Sequence, residues 1–202
     1  IEIGAGATAA RLRAMGKEVC FLICTDGRYG DGAAPAGLSR EELVALRRRE
    51  SLASARALGV EDVRFLTLSD GGFYTEEQLL RAMAAVIGDF QPDCIFAPDP
   101  FVSSECHVDH LRCGRAAGQL AYMAPYAGIM REYGAEPAPV AALSYYMTAK
   151  ANRFVKTKGF LDKQLDAIFA CHLSQFPGSS GGAIKLYLKL RSITFGLRCL
   201  SP

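Results

Sequence analysis

Two of the three histidines in the chain lie three residues apart, in the run His107-Val108-Asp109-His110. Side chains at positions i and i+3 of a helix share one face, so both imidazoles can point into one pocket. Asp109 between them could orient a ring N–H, as carboxylates do for catalytic or metal-bound histidines. Two surface histidines at a helix start, with Asp109 favoured by the positive end of the helix, would explain the pattern as well. Glu105, two residues upstream, favours a metal or acid–base site.

The beginning of the chain points to a different chemistry. Gly4, Gly6 and Ala9 match the GxGxxA form of the dinucleotide-binding fingerprint, and Asp26 follows at the distance expected of an acid that binds ribose. Only a few residues precede Gly4, which is too short for the strand that leads into this motif. A glycine-rich helix start that packs closely against a sheet explains the same residues. A nucleotide-dependent oxidoreductase therefore stays open as an alternative function.

The elements that position these residues alternate between strand-like and helix-like patterns. We predict strands over 18–25, 63–68, 94–97 and 140–147. We predict helices over 6–15, 39–58, 75–89, 107–122 and 159–172, the second and third opened by capping boxes at Ser39 and Thr75. Residues 184–191 alternate apolar and polar side chains, which favours a strand, although their leucines and charged residues would also suit a helix. We predict a flexible break in the chain over residues 177–182.

Strand–helix alternation at this spacing predicts an α/β fold of Rossmann-like type, with a mostly parallel sheet and helices on both faces. Sites in such sheets form outside the carboxyl ends of the strands. The first three predicted strands end at Thr25-Asp26-Gly27, Asp70-Gly71 and Pro98-Asp99-Pro100. A length of 202 residues predicts a single domain over 1–202.

Composition excludes several classes of protein. Half of the residues are hydrophobic and 22% are charged, which excludes wholesale disorder. The net charge of +2 is too balanced for a generic nucleic-acid or membrane-surface binder, and no apolar run approaches the ~18 residues of a membrane span. The seven cysteines include no CxxC pair, and three of them lie in apolar runs. We therefore expect a reducing, cytoplasmic setting.

Taken together, the motifs resemble those of the LmbE-like (PIG-L) family of zinc-dependent N-acetylglucosamine deacetylases. The resemblance extends from Ile1 to about Phe176. It rests on six motifs in order: Gly4-Ala5-Gly6-Ala7-Thr8; Thr25-Asp26-Gly27; Arg47-x-x-Glu50 before Gly59-Val60; Phe65-Leu66 with Asp70-Gly71; Glu105-x-His107-x-Asp109-His110; and His172-x-Ser174-Gln175. Each motif alone is weak, but six in the right order are specific.

The resemblance implies a role for five residues. His110 would be the third protein ligand of a zinc ion, and another divalent metal would also suit the site. His107 would be the second catalytic histidine, which stabilises the oxyanion or serves as an acid. Asp109 would hold His107 in its tautomer and charge. Arg47 and Asp70 would contact the sugar.

One departure from the family pattern concerns its first metal motif, His-Pro-Asp-Asp, which supplies two zinc ligands and the catalytic base. The chain begins Ile1-Glu2-Ile3-Gly4, which resembles the residues that directly follow that motif. We therefore expect the natural protein to carry a strand ending in this motif before Ile1, and a protein that starts at Ile1 to be metal-free, inactive and poorly stable. Some members of the family use a tyrosine as the general acid, but this chain has Glu105 at that place, two residues before His107. The general acid therefore stays unassigned. His172 would lie near the site or serve structure alone.

The resemblance implies a hydrolase that removes the acetyl group from an N-acetylglucosamine-type substrate. The form of the Glu105-x-His107 motif is closest to bacterial members of the bacillithiol-pathway type. A metal-free, sugar-binding relative is the second alternative. The expected partner is a small N-acetylated sugar, and we expect no binding of nucleic acid. Members of the family often form oligomers, which implies a homo-oligomer here.

Overall fold

The computed structural model describes residues 1–177 and 181–198 of the chain. Helices and strands alternate over residues 2–123, as the sequence predicts. In chain order the elements are α1 (Glu2–Ala14), β1 (Cys20–Thr25), α2 (Arg40–Ala57), β2 (Asp62–Leu68), α3 (Glu76–Phe90), β3 (Cys94–Pro98), α4 (Val108–Met123), α5 (Ala127–Glu132), β4 (Ala142–Tyr146), α6 (Leu161–Phe169) and α7 (Gly182–Arg198).

The two predicted capping boxes are confirmed, and they fix where α2 and α3 begin. The Ser39 hydroxyl accepts a hydrogen bond from the backbone N–H of Glu42 at 3.2 Å, and the Glu42 carboxylate accepts one from the Ser39 N–H at 2.8 Å. Thr75 and Gln78 make the same reciprocal pair at 3.1 and 2.8 Å. Each box satisfies two N–H groups that would otherwise have no partner in the first helical turn.

Residues 184–191, whose pattern favours a strand but also suits a helix, form part of helix α7. Ile184 and Leu188 are four residues apart and so share one helical face, which packs on Leu165 and Ile168 of α6. The leucines and lysines of the segment are also good helix formers. Of the predicted break over 177–182, residues 178–180 lie outside the described residues.

The chain, for which we predict one domain, clusters into two compact units that are each built from separate stretches. Unit 2 comprises residues 22–26 and 64–149. Its strands form two pairs, β1 with β2 and β3 with β4. Strands β3 and β4 run parallel, with Cys94 opposite Ala142 and Pro98 opposite Tyr146. The α/β class with parallel strands is therefore confirmed.

Helix α4 carries the His107–His110 run at its start, and two glycines let it approach the sheet closely. The helix packs on β3, β4 and α3. A methyl group at Gly114 would collide with the carbonyl oxygen of Pro98, and one at Gly118 would collide with the hydroxyl of Tyr145. This close approach fixes the first turn of α4 relative to the end of β3.

Unit 1 comprises residues 1–21, 27–63 and 150–202, of which 178–180 and 199–202 are not described. Helix α6 packs on both α1 and α2. The Gln164 amide of α6 donates hydrogen bonds to the backbone carbonyls of Glu2 and Ile3, at 2.6 and 3.1 Å. Among the described helices of both units, none is long and apolar enough to cross a bilayer.

Candidate functional site

The chain between β3 and α4 is organised by the carboxylate of Glu105. One of its oxygens accepts a hydrogen bond from the backbone N–H of His107 at 2.8 Å. His107 is the residue before the first turn of α4, and its own side chain makes no capping hydrogen bond. The hydrogen bond from this backbone N–H lowers the pKa of Glu105, as does the nearby His110 ring. Glu105 is therefore an ionised acceptor at the entrance of the helix.

The two histidines lie side by side on one face of the helix start. Their rings stack with centroids 4.4 Å apart and an interplanar angle of 22°. Both side chains are just over half exposed, so they are accessible to a ligand. Nδ1 of His110 lies 3.0 Å from Glu105 Oε2. This contact fixes the orientation of the imidazole ring and leaves Nε2 on the side of the ring away from Glu105. Nδ1 of His107 lies 3.8 Å from Asp109 Oδ2.

Asp109 is buried and acts as the acceptor for three donors from another segment. Its Oδ2 accepts from the backbone N–H of Gly71 at 2.8 Å, and its Oδ1 accepts from the N–H of Gly72 at 3.0 Å. The hydroxyl of Tyr74 donates to Oδ1 at 2.9 Å. The family resemblance pairs Asp109 with His107, whereas the shortest contacts of Asp109 are with the turn after β2. Asp109 therefore joins the helix start to that turn.

Asp70 lies in this same turn and is half-buried. Gly71 and Gly72, which follow it, have φ angles of +79° and +77°, a region that glycine adopts without strain. A methyl group at Gly72 would lie 3.1 Å from Val108 in the first turn of α4. Asp70 is thus adjacent to the amides that bind Asp109, and the structure brings it into unit 2 with both histidines.

Arg47 lies on α2, in unit 1. It is half-buried, whereas Arg48 and Arg49 beside it are exposed. Its guanidinium donates to the carbonyl of Gly30, and its aliphatic stem packs against the Gly27 turn. The structure thus distinguishes Arg47 from its two neighbours, which the sequence does not. The predicted contacts of Arg47 and Asp70 with the sugar stay predictions.

A buried polar network in unit 1 joins two of the sequence motifs. Glu50 accepts hydrogen bonds from the backbone N–H and the hydroxyl of Ser174, at 2.8 and 2.6 Å. His172 is buried with Nε2 3.4 Å from Glu2 and Nδ1 3.9 Å from Glu50. Gln175 also contacts His172, at 3.1 Å. The segment 172–175 thus contacts α1 through His172 and α2 through Ser174.

Two residues near Asp109 carry no sequence signal for a role in the site. The first is Tyr74, whose hydroxyl donates to Asp109. Arg112 is the second, since its Nη1 donates to the carbonyls of Gly72 and Tyr74 at 2.7 and 3.0 Å. Neither belongs to a motif with characteristic spacing, and both contacts span more than 30 residues of sequence.

The glycine pattern at the start of the chain has a structural explanation. Gly4 and Gly6 lie inside α1, whereas the dinucleotide fingerprint needs its glycines in the turn before a helix. Gly6 is buried, and a methyl group there would lie 3.2 Å from Gln164 of α6. The placement of these glycines supports close helix packing and gives no support to nucleotide binding.

A metal ion needs several ligands that converge. Among residues 1–177 and 181–198, no group of three His, Cys, Asp or Glu side chains is placed to hold one. His110 suits a single ligand position, because a carboxylate on Nδ1 orients the ring and leaves Nε2 for the metal. The described residues therefore fit one zinc ligand and do not complete a tetrahedral site.

Comparison with known proteins gives a consistent set of similarities. The family described as PIG-L: GlcNAc-PI de-N-acetylase matches residues 1–121. A diacetylchitobiose deacetylase from Thermococcus kodakarensis is 28% identical over 197 residues, covering 96% of this chain and 73% of that protein. A 1D-myo-inositol 2-acetamido-2-deoxy-alpha-D-glucopyranoside deacetylase from Kineococcus radiotolerans is 37% identical over 104 residues, 49% of this chain and 29% of that protein.

Solved structures give the same result for the fold. The N,N'-diacetylchitobiose deacetylase from Pyrococcus horikoshii, solved with its inhibitor MPG, matches with a TM-score of 0.88 and 30% identity. The match covers 98% of this chain and 74% of that one.

Proposed function

This chain belongs to the PIG-L family of GlcNAc-PI de-N-acetylases, and from that premise we propose that it hydrolyses the N-acetyl amide of an N-acetylglucosamine-type sugar. The observation that carries the proposal is the family match, which spans the Glu105–His110 segment with its two stacked, accessible histidines. The named relatives act on diacetylchitobiose and on an inositol-linked 2-acetamido sugar. Because both substrates contain a 2-acetamido-2-deoxyglucose unit, that unit is the substrate class proposed here.

His107 is proposed to stabilise the oxyanion that forms when the acetamide carbonyl is attacked. Its ring is accessible, and Asp109 lies on the Nδ1 side, which leaves Nε2 to face substrate. One donor to an oxyanion is typically worth about 2.7–4 kcal/mol of barrier. Asp109 is proposed to hold the ring in orientation and tautomer, since a carboxylate favours an N–H on the nitrogen beside it.

His110 is proposed as one ligand of a zinc ion, with Glu105 orienting its ring. When bound, zinc would supply a Lewis acid and a water of lowered pKa. In this proposal His107 faces the oxyanion and Asp109 positions His107. A homo-oligomeric state stays a prediction.

The activity is tested directly by offering the full natural chain a series of acetylated compounds with zinc present. We expect acetate and free amine to appear in equal amounts from N,N'-diacetylchitobiose, N-acetylglucosamine or its inositol glycoside. An N-acetylated lysine peptide serves as the control and should release no acetate. Release from the peptide alone, or from none of the three sugars, would contradict the proposal.

Arg47 and Asp70 are proposed to contact the sugar hydroxyls, and Arg47 gives the sharper test. Its guanidinium is oriented by the carbonyl of Gly30, so a charged donor is held in place before substrate binds. Because a hydrogen bond to a charged group contributes about 1.5–3 kcal/mol, Arg47→Ala should raise KM roughly 10- to 100-fold with a smaller change in kcat. Arg48→Ala is the matched control, since Arg48 is exposed on the same helix. Equal KM values for both variants would remove Arg47 from the binding site.

A further inference from the structure

We propose that Tyr74 is a positioning residue for the deacetylation. Its hydroxyl fixes the carboxylate of Asp109, and through it the ring of His107. The inference rests on the proposed function, because it assigns His107 to the reacting amide. Tyr74 itself touches no substrate in this proposal.

The two oxygens of the Asp109 carboxylate have different surroundings. Oδ1 accepts two hydrogen bonds, from the Tyr74 hydroxyl at 2.9 Å and the Gly72 N–H at 3.0 Å. Oδ2 accepts one, from the Gly71 N–H at 2.8 Å, and it is the oxygen that faces His107 Nδ1. The Tyr74 hydroxyl thus helps to hold Oδ1 away from His107, which presents Oδ2 to the imidazole.

Tyr74 is itself held rigidly. Only 8% of the residue is exposed, and its ring belongs to the hydrophobic core formed by side chains of α3 and α4. Arg112 lies one turn beyond Asp109 on α4 and donates to the carbonyls of both Gly72 and Tyr74. Its guanidinium also lies 5.3 Å from the centroid of the Tyr74 ring. The segment 72–74 is therefore fastened to the same helix that carries Asp109.

The hydroxyl acts only as a donor in this environment. Burial raises the pKa of Tyr74 far above its usual range, and the hydrogen bond to Asp109 raises it further. A tyrosine that keeps its proton offers that proton to Asp109 at every physiological pH. The Tyr74 hydroxyl is therefore a donor to Asp109 that does not itself titrate in this range.

Removing the hydroxyl should affect the rate of the chemical step and not substrate binding. Tyr74→Phe keeps the ring in the core and deletes one of the two donors to Oδ1. The carboxylate then has more freedom to rotate, and the His107 ring loses part of its constraint. Because small misplacements of a reacting group are costly in rate, we expect kcat to fall about tenfold while KM stays within about twofold.

Tyr145→Phe is the matched control. The Tyr145 hydroxyl also donates to α4, to the carbonyl of Gly114 at 3.1 Å, but it does not contact Asp109. This variant removes a similar hydrogen bond from the same helix, so its kcat should stay within about twofold of the original. A comparable loss of kcat in both variants would mean a general effect on α4 and would overturn the proposal.

A double-mutant cycle tests the route through Asp109. In the Asp109→Ala background the side chain offers no acceptor to the Tyr74 hydroxyl, so adding Tyr74→Phe should reduce kcat by less than twofold more, about the error of such measurements. Independent, multiplied losses in the double variant would overturn the proposal. An unchanged kcat in Tyr74→Phe alone would also overturn it, while leaving the deacetylase activity of the original chain intact.

A measurement that needs no activity separates this inference from the proposed function. Gly71, Gly72 and Tyr74 all donate hydrogen bonds to the carboxylate of Asp109. The backbone amide signals of Gly71 and Gly72 in ¹H–¹⁵N spectra should therefore shift in Tyr74→Phe and stay in place in Tyr145→Phe. Unmoved signals in Tyr74→Phe would contradict the role of Tyr74 even if the chain is an active deacetylase. Failure of the original chain to release acetate would contradict the proposed function, whatever the spectra show.

Discussion

Replacing His110 with alanine should reduce deacetylation to background and lower bound zinc well below one ion per chain. The expected loss is large because a tetrahedral zinc site has few ligands, and each one contributes to both affinity and geometry. The Glu105 carboxylate orients the His110 ring, since His110 Nδ1 lies 3.0 Å from Glu105 Oε2. Metal analysis after dialysis and acetate release from N,N'-diacetylchitobiose measure the two effects on the same sample of the full natural chain.

The neighbouring histidine serves as the control for metal binding. The two rings stack at 4.4 Å, so removing either one opens a similar space at the helix start. If zinc content in His110→Ala equals that of the original chain, the ligand assignment is wrong. If zinc falls equally in both single variants, the two histidines bind metal together.

Replacing His107 with alanine should lower kcat by about 10²- to 10³-fold, the usual cost of one lost oxyanion donor. KM and bound zinc should change little, because the proposed contact forms only as the carbonyl oxygen gains charge. The ring is just over half exposed and makes no capping hydrogen bond, so its removal leaves the helix start otherwise intact. Steady-state kinetics with metal analysis would detect this pattern. Loss of zinc together with activity would instead identify His107 as a ligand.

Local sequence signals predicted much of the fold because their causes are local. Ser39 and Thr75 cap the helices that follow them through residues only three positions away. The run from His107 to His110 lies at the start of α4 as its spacing after β3 suggests. In these cases the residues that decide the structure are neighbours in the chain.

The remaining features depend on contacts that no local pattern encodes. Tyr74 and Asp109 are 35 positions apart, and Glu50 and Ser174 are 124 positions apart. The segment of α7 over 184–191 has a pattern that fits a strand or a helix, and its packing on α6 decided between them. The family resemblance assigned Asp109 to His107, yet the shortest contacts of Asp109 are with the turn after β2.

The order in which the chain is made has a consequence for these two sets of contacts. The three residues that donate to Asp109 lie within 64–149, so they are synthesised before the segment that begins at Lys150. The contacts of Gln164 with Glu2 and of Ser174 with Glu50 span 162 and 124 positions and need that later segment. Closing the longer of these loops costs about 1.4 kcal/mol more in chain entropy than closing the loop between Tyr74 and Asp109. On the ribosome, the turn that binds Asp109 can therefore assemble while α6 and α7 are still unmade.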